Sequence, residues 1–244
     1  RRKLLGGWNV LKRYVLLLLT LACSGNAPST DTAQANGATT GVSGSTDSSS
    51  PRVVASSAGV AKPIILFAGT SLTAGLGLEP DSAYPQLIQR MIDSAALPHT
   101  VINAGVSGET SASLLGRLDW LLRQPFDLLV IETGANDGLR GIPVATMKSN
   151  IQQTIDRVKA ARPQARIALV QMEAPPNLGA AYTNGFREAF GDLASANGVT
   201  LLPFLLQDVA GVRELNQGDG IHPNDAGERI VARNVWKGLR PLLQ

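Results

Sequence analysis

The fold of this 244-residue chain is decided by the stretch Pro63-Ile64-Ile65-Leu66-Phe67-Ala68-Gly69-Thr70-Ser71-Leu72-Thr73-Ala74-Gly75. The unbroken apolar run at residues 64–67 is typical of a buried strand in a parallel sheet. Gly69 permits a sharp turn after that strand, and the hydroxyl residues that follow favour the start of a helix. Open α/β sheets bind ligands at the carboxyl ends of their strands, so Ser71 lies where a substrate would bind.

Further apolar runs and helical patterns alternate along the rest of the chain. Strands are predicted at residues 64–68, 100–103, 128–133, 166–172 and 199–203. Helices are predicted at residues 85–96, 111–123, 144–161, 184–196 and 224–242. Strands that alternate with helices are joined by right-handed crossovers, which produce a parallel sheet covered on both faces. The sequence therefore predicts an α/β fold, a flavodoxin-like three-layer α/β/α sandwich around a five-stranded parallel sheet.

A second stretch, Asp219-Gly220-Ile221-His222-Pro223-Asn224, changes the interpretation of Ser71. Taken alone, Ser71 is better explained as a helix N-cap. The chain contains two histidines, however, and His222 follows an acid by three residues in a loop with glycine. A nucleophilic serine needs a base to take its proton and a third group to orient that base. Ser71, His222 and Asp219 could fill these roles, whereas His99 has no acid at that spacing and is interpreted as structural.

The amino-terminal residues have the composition of an export signal. Basic residues precede an apolar core that ends at Cys23 and is too short to span a bilayer. The stretch Thr20-Leu21-Ala22-Cys23 resembles the lipobox of bacterial lipoproteins, whose cysteine is acylated; a signal cut by ordinary signal peptidase is the alternative. Residues 24–59 are rich in Ser, Thr and Gly and predict a disordered linker, which leaves residues 60–244 as one folded domain. We therefore expect an exported protein of the cell envelope, attached to a membrane through lipid at Cys23.

Charge and composition argue against several classes of function. Five of the 22 basic residues precede Cys23, which leaves 17 basic against 19 acidic residues in the remainder. The sequence therefore predicts no nucleic-acid partner. One cysteine and two histidines argue against an intrachain disulfide and against a dedicated Cys/His metal site.

Two glycine-rich loops follow the second and third predicted strands, with the sequences Asn103-Ala104-Gly105-Val106-Ser107-Gly108-Glu109 and Gly134-Ala135-Asn136-Asp137. Each loop alone is explained by tight turns, although glycine N–H groups or an asparagine amide could also stabilise an oxyanion. Together with the stretches around Ser71 and His222, they form four blocks whose order resembles the SGNH, or GDSL-type, hydrolase family. The likeness is strongest to the bacterial thioesterase I/lysophospholipase/arylesterase subgroup.

This resemblance implies a serine esterase that needs no metal or organic cofactor. Ser71 matches the nucleophile, His222 the base and Asp219 its orienter. The matching oxyanion donors are the N–H groups of Ser71 and Gly105 and the side-chain amide of Asn136. The family has an aspartate before the serine, whereas this chain has Thr70. The three catalytic roles are still filled, but the hydrogen bonds of the turn at Thr70 are not predicted by the resemblance. A carbohydrate O-acetylesterase of the same family is the alternative function, and a non-catalytic lipid- or glycan-binding lipoprotein is a more distant one.

The loops after the third and fourth predicted strands supply the expected walls of an acyl groove. Four side chains there offer apolar surface, namely Leu139, Ile142, Leu178 and Tyr182. A sugar site would be expected to show several aromatic or paired polar side chains instead. The expected substrate is therefore a small acyl ester, thioester or lipid. The alternative is that these loops are flexible covers and that Leu178 packs into the core.

Overall fold

The computed structural model describes residues 61–244; the export signal and linker predicted at residues 1–59, including Cys23, lie outside the described residues. Five strands form one parallel sheet in the order β2-β1-β3-β4-β5. Their bounds are β1 Ile64–Gly69, β2 Thr100–Gly105, β3 Leu128–Ile131, β4 Arg166–Val170 and β5 Thr200–Leu202. The predicted α/β fold with a five-stranded parallel sheet is confirmed.

The described residues form eight α-helices, six of which pack in two groups. Their bounds are α1 Ser71–Ala74, α2 Tyr84–Ser94, α3 Ser111–Gly116, α4 Leu118–Leu122, α5 Ala135–Leu139, α6 Val144–Ala161, α7 Ala180–Asn197 and α8 Asp225–Leu239. Helices α2 and α8 pack together, whereas α6 contacts α3, α4 and α7. Since β2 lies on the opposite side of β1 from the later strands, right-handed crossovers place these two groups on opposite faces of the sheet.

The sheet forms the centre of the core. Ile65, Leu66 and Phe67 in β1 are fully buried, and every residue of β3 is buried. This explains why these strands are continuous apolar runs without a polar alternation. None of the helices in the described range is long and apolar enough to cross a membrane.

The helix predicted at residues 111–123 is interrupted and forms two short helices, α3 and α4. The break falls at Arg117, whose φ of −96° and ψ of 6° depart from helical values. Its guanidinium donates to the carbonyl of Ala104 at 2.8 Å and pairs with the carboxylate of Glu109. Tertiary contacts thus override a helical pattern that is continuous in the sequence. Helix α5, at residues expected to form a loop, is too short to produce a periodic pattern.

A buried acid lies where α8 packs on α2. Glu228 is 1% exposed, and its Oε2 accepts a hydrogen bond from the Tyr84 N–H at 2.8 Å. Burial raises the pKa of Glu228 to about 8, although the hydrogen bond from Tyr84 opposes the shift. At neutral pH the carboxyl is therefore protonated in the folded protein and ionised in the unfolded chain.

The Glu228 carboxyl should make stability depend on pH. Because its folded pKa lies above the unfolded value of 4.5, its contribution to the free energy of unfolding is complete below pH 4.5 and is lost as the pH rises through about 8. The slope contributed by one such proton is at most about 1.4 kcal/mol per pH unit. We expect Glu228→Gln to flatten the profile measured by urea unfolding between pH 5 and 8. The exposed Glu188→Gln is the control, and an unchanged slope in Glu228→Gln would contradict the assignment.

Candidate active site

Ser71 is the first residue of α1 and follows β1 after a sharp turn. The turn requires Gly69, because a Cβ at that position would lie 2.0 Å from Oγ1 of Thr73. Thr70 caps the helix: its Oγ1 accepts a hydrogen bond from the N–H of Leu72 at 3.3 Å. Ser71 is therefore held at the carboxyl edge of the sheet, where it retains 8% exposure.

His222 and Asp219 meet Ser71 at this edge. Nε2 of His222 lies 2.8 Å from Oγ of Ser71, and Nδ1 lies 2.6 Å from Oδ2 of Asp219. The other carboxylate oxygen, Oδ1, accepts the N–H groups of Ile221 at 2.9 Å and His222 at 3.0 Å. The three side chains singled out in the sequence thus form one continuous hydrogen-bonded line.

These hydrogen bonds set the charge of Asp219. The bond with the His222 side chain, followed by the two backbone N–H bonds, lowers the pKa of Asp219 to about 2. The carboxylate is ionised at neutral pH and therefore favours a proton on Nδ1 of His222. Nε2 is then left as an acceptor directed at the Ser71 hydroxyl.

The loop that carries His222 is fastened by Gln217, which the sequence analysis missed. The N–H of Gln217 donates to the carbonyl of His222 at 2.7 Å. Its side-chain amide donates to the carbonyls of Leu76 at 2.7 Å and Pro223 at 2.9 Å. Because Leu76 lies two residues after the end of α1, Gln217 ties the histidine loop to the segment that carries Ser71.

A cavity of about 240 Å³ opens beside the Ser71 hydroxyl. Ser71, His222, Asn136 and Gly108 all line it. The amide nitrogen of Asn136 donates one hydrogen to the carbonyl of Glu109 at 2.9 Å. An amide nitrogen carries two hydrogens, so the second remains for a group bound in the cavity.

Gly105 is not placed as the sequence analysis expected. Its N–H donates to Oδ1 of Asn103 at 2.9 Å, and it is not among the residues that line the cavity. A Cβ at Gly105 would lie 2.3 Å from the backbone nitrogen of Ala74, so this glycine permits close packing of β2 on α1. The glycine that the structure brings to the cavity is Gly108, with a φ of 79° that favours glycine.

Several charged side chains hold the loops around Gly108 and Asn136. The guanidinium of Arg140 donates to the carbonyl of Gly108 at 3.1 Å. The Arg117–Glu109 ion pair is almost fully shielded on its carboxylate side, at 1% exposure. Glu109 also offers its carbonyl to Asn136, so this pair helps to fix the amide that faces the cavity.

A buried carboxyl group lies behind the Ser71 turn, and no sequence motif pointed to it. Glu132, immediately after β3, is fully buried and accepts the N–H of Thr70 at 2.8 Å. It also accepts the hydroxyls of Thr70 and Thr73, each at 2.9 Å. Burial raises the pKa of Glu132, whereas these three donors stabilise its ionised form. The hydroxyl of Tyr84 lies 2.8 Å from that of Thr73 and extends the network.

A second cavity, of about 310 Å³, adjoins the one at Ser71. The two share the side chains Leu72, Ala135, Leu139 and Ile221. The second is completed mainly by the loops after β4 and β5, with Met172, Pro175, Phe204 and Leu206 among its lining residues. Together these two cavities form what we call the acyl groove.

Of the four groove residues expected from the sequence, the structure brings Leu139 to the acyl groove. Ile142, Leu178 and Tyr182 are not among the residues that line either cavity. The Tyr182 hydroxyl instead donates to the carbonyl of Ile142 at 2.6 Å, and its ring stacks on Phe186. This contact joins α7 to the loop after α5. Phe204 and Leu206 were missed because only the fold brings their loop to the Ser71 edge.

Comparison with known proteins identifies the family. The model of the GDSL-like lipase/acylhydrolase family matches residues 67–230. The chain belongs to this family. Esterase TesA of Pseudomonas aeruginosa is 37% identical over 180 residues, which cover 73% of this chain and 89% of the relative. "Thioesterase 1/protease 1/lysophospholipase L1" of Escherichia coli K12 is 36% identical over 180 residues, covering 73% and 84%.

Solved structures agree with this family membership. The psychrotrophic esterase EstA from Pseudoalteromonas sp. matches with a TM-score of 0.70 and 34% identity, over 75% of this chain and 99% of that one. The predictions of an SGNH-type fold and of a carboxylic ester hydrolase are confirmed by the family model and these relatives.

We expect Glu132→Ala to impair turnover more than substrate binding. The substitution leaves the Thr70 N–H and two hydroxyls without their acceptor, at a cost of about 1–3 kcal/mol in the free energy of unfolding for each donor left unsatisfied. A displaced Ser71 should lower kcat by roughly ten- to a hundredfold, because reaction depends steeply on the position of the nucleophile. KM should change little, since Glu132 lines neither cavity.

The measurement compares ester hydrolysis and urea unfolding of Glu132→Ala with those of Glu228→Gln. The latter alters another buried acid, whose carboxyl accepts the N–H of Tyr84 rather than a donor of the Ser71 turn, and should leave kcat unchanged. A destabilised Glu132→Ala with normal kcat would limit Glu132 to a purely structural role.

Proposed function

We propose that this family member is a serine esterase in which Ser71 is the nucleophile, His222 the general base and Asp219 its orienter. The observation that carries the proposal is the hydrogen-bonded line from Asp219 through His222 to Ser71, with distances of 2.6 and 2.8 Å. A nucleophile and a base within hydrogen-bond reach, with the base held by a third group, are the geometry that acyl transfer through a serine requires.

The reaction proceeds in two acyl transfers. Oγ of Ser71 attacks the carbonyl carbon of the substrate, and its proton passes to Nε2 of His222. This attack forms a tetrahedral intermediate. As this intermediate collapses, His222 returns the proton to the leaving alcohol or thiol, and the acyl group remains on Ser71. Water, deprotonated by His222, then attacks the acyl-enzyme to form a second tetrahedral intermediate. Its collapse breaks the bond to Oγ of Ser71, which recovers the proton from His222, and the acid is released.

The tetrahedral oxygen develops negative charge inside the cavity at Ser71. We assign its donors as the N–H of Ser71, the N–H of Gly108 and the free amide hydrogen of Asn136. Ser71 opens a helix, where the first N–H groups have no intrahelical acceptor. Gly108 and Asn136 line the same cavity. Preorganised donors of this kind are commonly the largest single contribution to acyl transfer.

We expect Ser71→Ala and His222→Ala each to remove nearly all esterase activity while the fold is retained. The double variant should be little worse than either one, because the members of such a unit act together. Hydrolysis of p-nitrophenyl butyrate by the purified variants measures the loss, and circular dichroism checks the fold. Substantial turnover by Ser71→Ala would remove the basis of the proposal.

The substrate we propose is an ester or thioester with a medium acyl chain. The acyl groove supports this assignment, because its walls beyond Ser71 are largely apolar and include Leu139, Met172 and Phe204. Each methylene buried there contributes about 0.8 kcal/mol, or about fourfold in kcat/KM. The names of the esterase and thioesterase/lysophospholipase relatives support the same substrate class.

An acyl-chain series should reveal this groove. With p-nitrophenyl esters from acetyl to palmitoyl, we expect kcat/KM to rise more than tenfold from acetyl to butyryl, at about fourfold per methylene, and to rise further until the chain fills the groove. Phe204→Ala should reduce that rise, whereas Leu178→Ala, outside both cavities, is the matched control and should leave it unchanged. A profile that peaks at acetyl and is unaffected by Phe204→Ala would favour the carbohydrate O-acetylesterase instead.

We also propose that the enzyme works in the cell envelope, anchored by lipid at Cys23. The support comes from the sequence alone: a basic start, an apolar core and a lipobox-like stretch that ends at the chain's one cysteine. After a high-salt wash, which screens electrostatic attachment to lipid, Cys23→Ala should be lost from the membrane fraction of the native host, whereas the acylated protein should stay there. A protein that is soluble with or without Cys23 would favour a signal removed by ordinary cleavage.

A further inference from the structure

A second groove lies on the outer surface of the α2–α8 layer. Its volume is about 560 Å³, and ten residues line it. Four of them are Arg90, Arg229, Arg233 and Arg240, and none is acidic. We call it the arginine groove; it shares no lining residue with the acyl groove.

The four arginines are exposed, and the part of the chain that the structure describes offers most of them no acidic partner. Within residues 61–244, ion pairs within 4.0 Å involve neither Arg229, Arg233 nor Arg240. Arg90 lies 4.0 Å from Asp81, and both side chains are well exposed, so solvent screens this pair strongly. No described acid therefore neutralises Arg229, Arg233 or Arg240 by direct contact, although the domain as a whole is not basic.

The charges form a strip along one face of α8. Arg229, Arg233 and Arg240 recur with helical spacing, and at 1.5 Å per residue they span roughly 16 Å. An adjoining cavity shares Trp236 and Arg240 and adds Lys237 beyond the strip. A strip of this length can meet several anionic groups at once, and guanidinium groups match phosphate oxygens in bidentate geometry.

Between the arginines the floor is apolar. Leu87 and Met91 of α2 and Trp236 of α8 line the groove, and all three are only partly buried. A soluble polyanion offers nothing to this floor, whereas a lipid surface offers phosphate groups above and acyl carbon below. Tryptophan and arginine suit such an interface, since each pairs an apolar body with a polar end.

We propose that the arginine groove docks the protein on a membrane surface of anionic phospholipids. Each arginine near such a surface contributes attraction of about fivefold in binding. The groove lies along the outside of the α2–α8 layer, whereas Ser71 lies at the carboxyl edge of the sheet. A docked molecule therefore keeps its acyl groove open, and docking requires neither catalysis nor acylation of Cys23.

Vesicle sedimentation tests the proposal with residues 24–244, so that neither the predicted export signal nor an acyl anchor at Cys23 contributes. One set of vesicles contains phosphatidylcholine alone, and the other contains phosphatidylcholine and phosphatidylglycerol at about 7:3. We expect preference for the anionic vesicles, and the triple variant Arg90→Gln/Arg233→Gln/Arg240→Gln should lower partitioning about a hundredfold. Quenching by brominated phosphatidylglycerol should occur in the parent protein and decrease in Trp236→Phe.

The control removes three cations from the opposite helical layer, as Arg123→Gln/Arg157→Gln/Lys159→Gln. It should partition like the parent protein, and both triple variants should hydrolyse a soluble ester normally. If both triple variants lost partitioning equally, binding would depend on the net charge of the protein rather than on the arginine groove, and the proposal would be overturned. Equal binding to both vesicle types would overturn it as well. The proposal would also be overturned if the protein bound soluble polyphosphate as tightly as anionic vesicles and the fluorescence of Trp236 were not quenched.

Discussion

The hydrogen bond between Ser71 and His222 joins two side chains that are 151 positions apart in the chain. It can form because β1 ends at the edge of the sheet where α8 begins, just after the histidine loop. Asn224 caps α8 by accepting the N–H groups of Ala226 and Gly227, which fixes the chain two residues after His222. The catalytic geometry that we propose thus depends on two helix starts meeting at one sheet edge.

The Ser71 turn is stabilised by hydrogen bonds to the carboxyl group of Glu132, which is costly to bury. Glu132 is fully buried, yet three donors from Thr70 and Thr73 converge on it. The threonine at position 70 therefore serves the turn in two ways, because its hydroxyl donates to Glu132 and also accepts the N–H of Leu72. An aspartate at position 70 would place two carboxyl groups in contact, and they could share the space only by retaining a proton.

The fold could be predicted from the sequence because its signals are local. Apolar runs mark the strands, helical patterns lie between them, and right-handed crossovers then leave few arrangements. The three residues Ser71, Asp219 and His222 were also recognisable, since an acid, a histidine and a strand-end serine have a known chemical relation. Glu132 was not, because a carboxylate at the end of an apolar run gives no sign of the donors that will surround it.

The details that failed depend on backbone direction rather than on residue type. The loop after β2 contains Gly105 and Gly108, and the sequence alone does not indicate which N–H faces the cavity. In the structure the N–H of Gly105 donates to the side chain of Asn103, whereas Gly108 lines the cavity. The groove walls show the same limit: Leu178 was expected there, but Phe204 from the loop after β5 takes part.

If Ser71 carries the acyl group, a covalent label should attach to it, and such a label tests the mechanism most directly. The protein is incubated with an alkyl fluorophosphonate, digested and analysed by peptide mass spectrometry. We predict one adduct, on the peptide that contains Ser71, with labelling greatly slowed in His222→Ala. Loss of activity with the adduct on a different residue, or rapid labelling of Ser71 in His222→Ala, would contradict the account.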